Sequence, residues 1–356
     1  MLISIICPNL SSNGLIRSYV LAQLLERKYR VEIVGPKLDN SIWEPIKNEY
    51  DYLGVDMSER TSQFILNIPK LLNKVSGDVI YISKPTTTSF VPGIIKSISN
   101  DIPVILDIDD WESGFAYNNI NNIELYAKSL VNLGKVNTFY HNIIIEEISK
   151  RVEYKSVSNR FLQQKFGGEL VPHARDTDMF HPGKYNQNEI RNEIGISYNK
   201  IIVMFLGTPK KYKGVDILAK AMRDIGVDEI SAVIVGCSDT EYIDKINAIG
   251  GDKMEIYGKK PIKKIPKWIS AADIITIPQK ESPASRGQLP AKVFDAMAMA
   301  KPIIATDVSD LSEVIGGGGI IIQPNDHKML QDAILRLYQN ESLRIKMGSI
   351  ARKRCV

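Results

Sequence analysis

Residues 286–306 read Arg-Gly-Gln-Leu-Pro-Ala-Lys-Val-Phe-Asp-Ala-Met-Ala-Met-Ala-Lys-Pro-Ile-Ile-Ala-Thr, a tight loop, a short helix and a buried strand in succession. Gly287 frees the backbone ahead of the helix. Pro290 suits the first helical position, where a missing N–H costs nothing. Val293, Phe294 and Met297 fall on one helical stripe and are expected to face a core. Lys301-Pro302 ends the helix, and Ile303-Ile304-Ala305 is the strand behind it. Lys292 and Asp295 stand three apart and so are neighbours on the helix surface. The helix dipole opposes a lysine in the first turn by a few tenths to about 1 kcal/mol unless an anion lies close. A diphosphate held on loop and first-turn N–H groups would supply that anion. Asp295, one turn on, could then accept hydrogen bonds from ribose hydroxyls. An ordinary solvated Lys–Asp pair has the same spacing.

Outward from this run, short apolar runs alternate with helical patterns, which implies βα units and parallel sheets. Strands are expected at 2–7, 31–34, 79–82, 104–106, 200–207, 232–235, from 255, at 273–278 and at 320–322. Helices are expected at 15–29 with Leu21, Leu24 and Leu25 inward, at 142–150, from Val215 through Met222, and at 265–271 with Trp268 inward. Gly316 to Gly319 reads as a flexible turn. A helix through Leu330, Ile334 and Leu337 precedes a basic tail to Val356. Pro, Gly and charge cluster over 167–183, as in a linker. The 356 residues suffice for two domains.

Composition is that of a soluble globular protein. No apolar run approaches the roughly 20 residues of a membrane helix. The N-terminus has no charged leader and reads as a first strand, so a cytoplasmic protein is expected. Three cysteines, Cys7, Cys237 and Cys355, stand far apart without disulfide or metal spacing. The net charge of +4 permits an anionic ligand or a membrane surface but demands neither. Nucleic-acid binding is not expected, because the basic residues lack interleaved aromatics or a recognised module.

Several loops have residues suited to chemistry. Asn13-Gly14 precedes a helix start and could approach a phosphate or sugar, or simply turn. Arg17, in that helix's first turn, has the same dipole conflict as Lys292. Lys84-Pro85-Thr86-Thr87-Thr88 follows a strand at the end where open α/β sheets bind ligands. Asp107, Asp109, Asp110 and Glu112 crowd the next strand's C-terminal edge. They suit acid–base work, a divalent metal or mere exposure. Lys210, Lys211 and Lys213 surround Gly214 before a helix, either an anion cradle or a solvated loop. Five lysines between Lys259 and Lys267 either solubilise the chain or meet anionic lipid. Residues 118–133 are Asn-rich and could form a mobile acceptor-side helix or loop. His173 and His181 read as linker residues rather than ligands, so no metal is expected.

The run Pro290-x-Lys292-x-Phe294-Asp295-x-Met297-Ala298-x-x-Lys301-Pro302, followed by Ile-Ile-Ala-Thr-Asp, resembles the donor-site signature of family 4 glycosyltransferases with the GT-B fold. Weaker matches extend over nearly the whole chain. The resemblance implies two Rossmann-like domains facing a cleft: an acceptor-side domain at 1–170, a linker at 171–185 and a nucleotide-sugar donor domain at 186–356. It implies that Asp295 stands where a ribose-binding Glu is common. A further Glu eight residues earlier in many members is Gly287 here, and Glu281 is the nearest upstream acid. Lys213 matches the Lys of the family's "Gly-Arg…Lys-Gly-Val-Asp", and Thr208 occupies the Arg position. Lys210, Lys211, Arg286 or Lys292 could replace that cation. Lys260, Pro261 and Ile262 fall where the nucleobase is read, and Gly14 on a cleft-facing loop. Asp109-Asp110 aligns with a His-Asp pair, Asp109 standing in for the His near the transferring sugar.

The activity implied is transfer of a sugar from a UDP-sugar, UDP-glucose first, with retention and without metal or other cofactor. Lys213, Lys292 and the loop amides near Gln288 and Leu289 would hold the diphosphate. The implied acceptor is a saccharide or lipid-linked saccharide in cell-surface or extracellular polysaccharide synthesis, with peripheral contact at the inner membrane face. The helix that often ends family members is read here as short or absent. A nucleotide-sugar epimerase and a non-catalytic nucleotide-sugar binding protein are the alternatives.

Overall fold

The computed structural model describes residues 1–117, 129–237 and 241–356. The described residues divide into two units. One is Met1–His173 with Gly287–Leu289, and the other is Ala174–Arg286 with Pro290–Val356.

The first unit is built on a seven-stranded sheet, every pairing parallel: β1 (Leu2–Ile6), β2 (Arg30–Lys37), β3 (Tyr52–Asp56), β4 (Val79–Ser83), β5 (Val104–Ile108), β6 (Tyr154–Val157) and β7 (Glu169–Leu170), in the order β3-β2-β1-β4-β5-β6-β7. The second unit holds a six-stranded parallel sheet: β8 (Ile201–Leu206), β9 (Ile230–Cys237), β10 (Met254–Gly258), β11 (Ile274–Ile277), β12 (Ile303–Thr306) and β13 (Gly319–Ile322), in the order β10-β9-β8-β11-β12-β13. Strand order reverses between β1 and β4 in one sheet and between β8 and β11 in the other. Such reversals open crevices at the C-terminal strand ends. The apolar runs of β8, β9 and β11 are buried almost throughout, as a sheet covered on both faces requires.

Most expected strands and helices are present, with corrections. The first helix ends at Leu25 rather than at 29, and Leu24 is 37% exposed instead of inward. Residues 26–30 are all exposed, and four of the five are charged. In the helix Lys292–Ala298, Val293 and Met297 are buried, but Phe294 is only partly so. Strand β3 and the helices Thr61–Leu72 and Thr87–Asn100 escaped the periodicity reading. The glycine run is a packed turn. A Cβ on Gly318 would lie 2.8 Å from that of Ala351, and one on Gly319 only 2.1 Å from the Ile303 carbonyl oxygen. The basic tail is a helix, Glu341–Cys355, capped by the Asn340 side chain on Leu343 N–H at 2.9 Å. Of the Asn-rich run, 118–128 lie outside the described residues. No helix among the described residues is long and apolar enough to cross a membrane.

Arg17 has a partner the sequence did not disclose. Its Nε and Nη2 donate to the two carboxylate oxygens of Asp107, at 2.8 and 2.7 Å, and Nη2 and Nη1 also reach the carbonyls of Val171 and Pro172. Ser156 Oγ donates to Asp107 Oδ1, and Tyr81 completes the chain through Ser156. Arg17 is 2% exposed and Asp107 0%, so every lone pair here must be answered within the protein. We predict that Asp107→Ala costs about 3–5 kcal/mol in urea unfolding, because it strands a buried guanidinium. The double variant Arg17→Met, Asp107→Leu should recover most of that loss.

Candidate functional site

In the second unit the loops after β8 and β11 meet at the strand-order reversal. Gly214 has φ +68°, and a Cβ there would fall 1.7 Å from the Pro278 carbonyl oxygen, so only glycine lets these loops close. The helix Lys292–Ala298 brings Lys292 beneath the first loop. Lys292 Nζ sits 3.6 Å from the centre of the Phe205 ring and 3.5 Å from the point a Cβ on Gly207 would occupy. Burial, and then the charge of Lys213, pushes the Lys292 ammonium well below its usual range, and Asp295 only partly offsets this. Among the described residues no carboxylate forms an ion pair with it. Lys213 Nζ donates to the Thr208 carbonyl at 2.9 Å, which ties the two ends of the β8 loop together. Lys210 and Lys211 are exposed, so within the expected basic loop only Lys213 is brought near Lys292.

Asp295 is largely buried and is ion-paired with Arg175 Nε, a residue the sequence reading passed over. Nothing local marks Arg175, because its partner is 120 residues away. At the end of β10, Lys260 Nζ lies 4.7 Å from the Trp268 ring centre, and that ring stacks obliquely on Tyr257 at 4.7 Å. Pro261 is exposed beside them and Ile262 is buried. Glu281 and Arg286 form an exposed pair with each other. Lys301, read from sequence as a helix stop, donates to the carbonyls of Ser270 and Ala272 at 2.9 and 2.6 Å. It thereby caps the helix Ile265–Ala271, and burial pushes its ammonium down to about 8.

In the first unit the acids at the end of β5 converge on Lys84, at the end of β4. Lys84 takes φ +69°, uncommon for a lysine, and its ammonium contacts Asp109 at 3.3 Å, Glu112 at 3.1 Å and Asp110. Burial pushes the Asp109 carboxyl up to about 7, with Lys84 pulling it back down and Asp110 and Asp107 raising it further. Gly287 packs on Trp111, where a Cβ would come within 2.3 Å of the indole-bearing carbon, and its carbonyl accepts from Trp111 N–H at 3.0 Å. Gln288 Nε2 donates to Asp110 Oδ1 at 2.9 Å, and Leu289 is buried. Gly14 has ordinary helical angles, and a Cβ there would meet only van der Waals neighbours at 3.4 Å. His181 accepts from Gly183 N–H at 3.1 Å, a local turn contact. Among the described residues no three His, Cys, Asp or Glu side chains are placed to hold a metal ion.

Residues 200–340, which carry Lys213, Lys260, Lys292 and Asp295, match the family described as Glycosyl transferases group 1. The chain is 25% identical over 205 residues to a D-inositol 3-phosphate glycosyltransferase of Corynebacterium jeikeium, covering 51% of this chain and 46% of that protein. It is 27% identical over 178 residues to a lipopolysaccharide core biosynthesis mannosyltransferase of Rhizobium meliloti, covering 46% of this chain and 48% of the relative. The chain thus spans about half the length of the curated relatives it matches. Among solved structures, Anabaena HepE in complex with UDP-glucose superposes with TM-score 0.76 at 14% identity, over 99% of this chain and 94% of that one. The two parallel sheets are therefore those of the GT-B fold.

The crowding of Lys292 predicts a measurable cost in the ligand-free protein. Its folded pKa lies below 10.5, so the unfolded chain binds more protons within that window, and stability rises with pH there. Lys292→Met should abolish this slope. It should also raise the melting temperature of the ligand-free protein near neutral pH by roughly 2–4 °C, as about 1 kcal/mol does for a domain of this size. A lower melting temperature would contradict the assignment.

Proposed function

We propose that the chain, whose residues 200–340 match the family described as Glycosyl transferases group 1, is a glycosyltransferase of polysaccharide synthesis. It moves a sugar from a UDP-sugar to a saccharide or lipid-linked saccharide acceptor. The observation that carries this reading is the Lys292 ammonium, held against Phe205 and near Lys213 with no carboxylate ion-paired to it among the described residues. A bound diphosphate relieves that repulsion. The same two cations then stabilise the charge that gathers on the departing nucleotide, which needs no protein nucleophile.

In this reading Asp295 takes the ribose hydroxyls, and the exposed Pro261 beside the Lys260–Trp268 stack takes the base. UDP-glucose is the first donor to test, because Anabaena HepE has been solved with it. Transfer proceeds with retention and without metal. Asp109, a buried carboxyl that titrates near 7, serves the substrate on the first unit, to which we assign the acceptor. Glu281 takes part only when Arg286 releases it. A lipid-linked acceptor would bring the protein to the membrane surface.

Titration with UDP tests the site. Lys292→Ala and Asp295→Ala should each weaken UDP binding about tenfold or more, the worth of a hydrogen bond or contact to a charged group. Bound diphosphate raises the Lys292 pKa, so the complex holds more protons than the free protein. Binding should therefore take up protons and weaken as pH rises through that window. With UDP-glucose and an acceptor, UDP release that persists in EDTA supports metal-free transfer. Sugar interconversion without UDP release would point to an epimerase instead, and unchanged UDP affinity in both variants would remove the donor site.

A further inference from the structure

We infer that Arg175 is a positioning residue that fixes the Asp295 carboxylate for the ribose of the nucleotide, an inference resting on the donor-site reading above. Asp295 lies one turn into a seven-residue helix, whose backbone places its Cβ but does not by itself choose its rotamer. Arg175 Nε takes Oδ1, and the two side chains are 6% and 12% exposed, shielded from competing water. The described residues make no hydrogen bond to Oδ2, so that oxygen and the remaining lone pairs stay available to a ligand. Arg175 is itself restrained, because its Nη1 donates to the Ala174 carbonyl at 2.9 Å.

The backbone around this pair is clamped as well. Arg352, on the helix Glu341–Cys355, donates to the Phe180 carbonyl at 2.6 Å and to the Thr177 carbonyl at 3.2 Å. The same guanidinium reaches the Ala298 carbonyl, at the C-terminal end of the helix that carries Asp295. The segment bearing Arg175 and the helix bearing Asp295 therefore share one anchor. A carboxylate held in one rotamer has already lost the freedom that ribose binding would otherwise remove.

The experiment compares the binding of UDP, 2′,3′-dideoxy-UDP and inorganic pyrophosphate by calorimetry. The variants are Asp295→Asn, Arg175→Lys, Arg175→Gln and the double variant Arg175→Gln, Asp295→Asn. The wild type should prefer UDP over the dideoxy nucleotide by about 10- to 100-fold, the usual worth of hydrogen bonds to a charged group. Asp295→Asn should erase most of that preference. Arg175→Gln should reduce it about tenfold and Arg175→Lys by less, while pyrophosphate affinity stays within about twofold. The double variant should lose no more preference than Asp295→Asn alone. It leaves no unpaired buried charge, and Arg175→Lys keeps the charge, so each is expected to fold even where Arg175→Gln does not.

Full ribose preference in Arg175→Lys and Arg175→Gln would make the pair merely structural and overturn the inference. Equal losses for UDP and pyrophosphate would make Arg175 a phosphate contact, which also overturns it. Full preference in Asp295→Asn would overturn the donor-site reading itself, and the inference with it.

Discussion

A parallel sheet covered on both faces leaves polar chemistry one outlet, the ends of its strands. Both sheets of this chain obey that constraint. The central strands are largely apolar, and charged side chains gather past the C-terminal ends of β4 and β5 in one unit and of β8 and β11 in the other. The two gatherings differ in sign. After β4 and β5, carboxylates outnumber the one ammonium they surround, Lys84. Beside β8, the ammonium of Lys292 feels the charge of Lys213 and rests on the π face of Phe205. The first arrangement has its counter-charge built in, although Asp109 Oδ1 is buried without a hydrogen bond among the described residues. The second is a standing electrostatic debt, and that makes it the better candidate for an anion.

Buried ions elsewhere are answered internally. Arg17 with Asp107, and Arg191 with Asp273, pair across long stretches of sequence and spend their remaining donors on backbone carbonyls. Each leaves little for a ligand, which fits a role in holding the chain. Lys301 belongs to this group although it sits in the most recognisable motif of the sequence. Its ammonium closes the end of a neighbouring helix. Arg352 does the same for the helix Lys292–Ala298, as a cation at a helix C-terminus should.

Much of this was legible before any coordinates. Lys292, three residues before Asp295 on a helix opening, already carried the dipole conflict that the structure sharpens. The alternation of apolar runs with helical patterns was enough to imply parallel sheets. What escaped was of two kinds. Strand β3 is short and broken by Gly54, and the helices Thr61–Leu72 and Thr87–Asn100 contain Pro69 and Pro92, residues that a sequence reading takes as helix breaks. The C-terminal helix was read as a tail because basic residues interrupt its apolar ones, and its buried positions are the small residues Gly348 and Ala351. Asp109 was found as one acid among four and Lys84 as part of a ligand-end loop, but nothing local showed that the two pair.

The sequence by itself determined most of the strands and helices and which loop holds the cations, because periodicity, turn residues and charge are local properties. Only the tertiary structure decided who faces whom: Arg175 on Asp295, Arg17 on Asp107, Lys84 beneath three carboxylates, Lys292 on Phe205. A charge's meaning depends on its partner and its distance from water. Both are set by chain segments tens to more than a hundred residues apart, which no local pattern encodes.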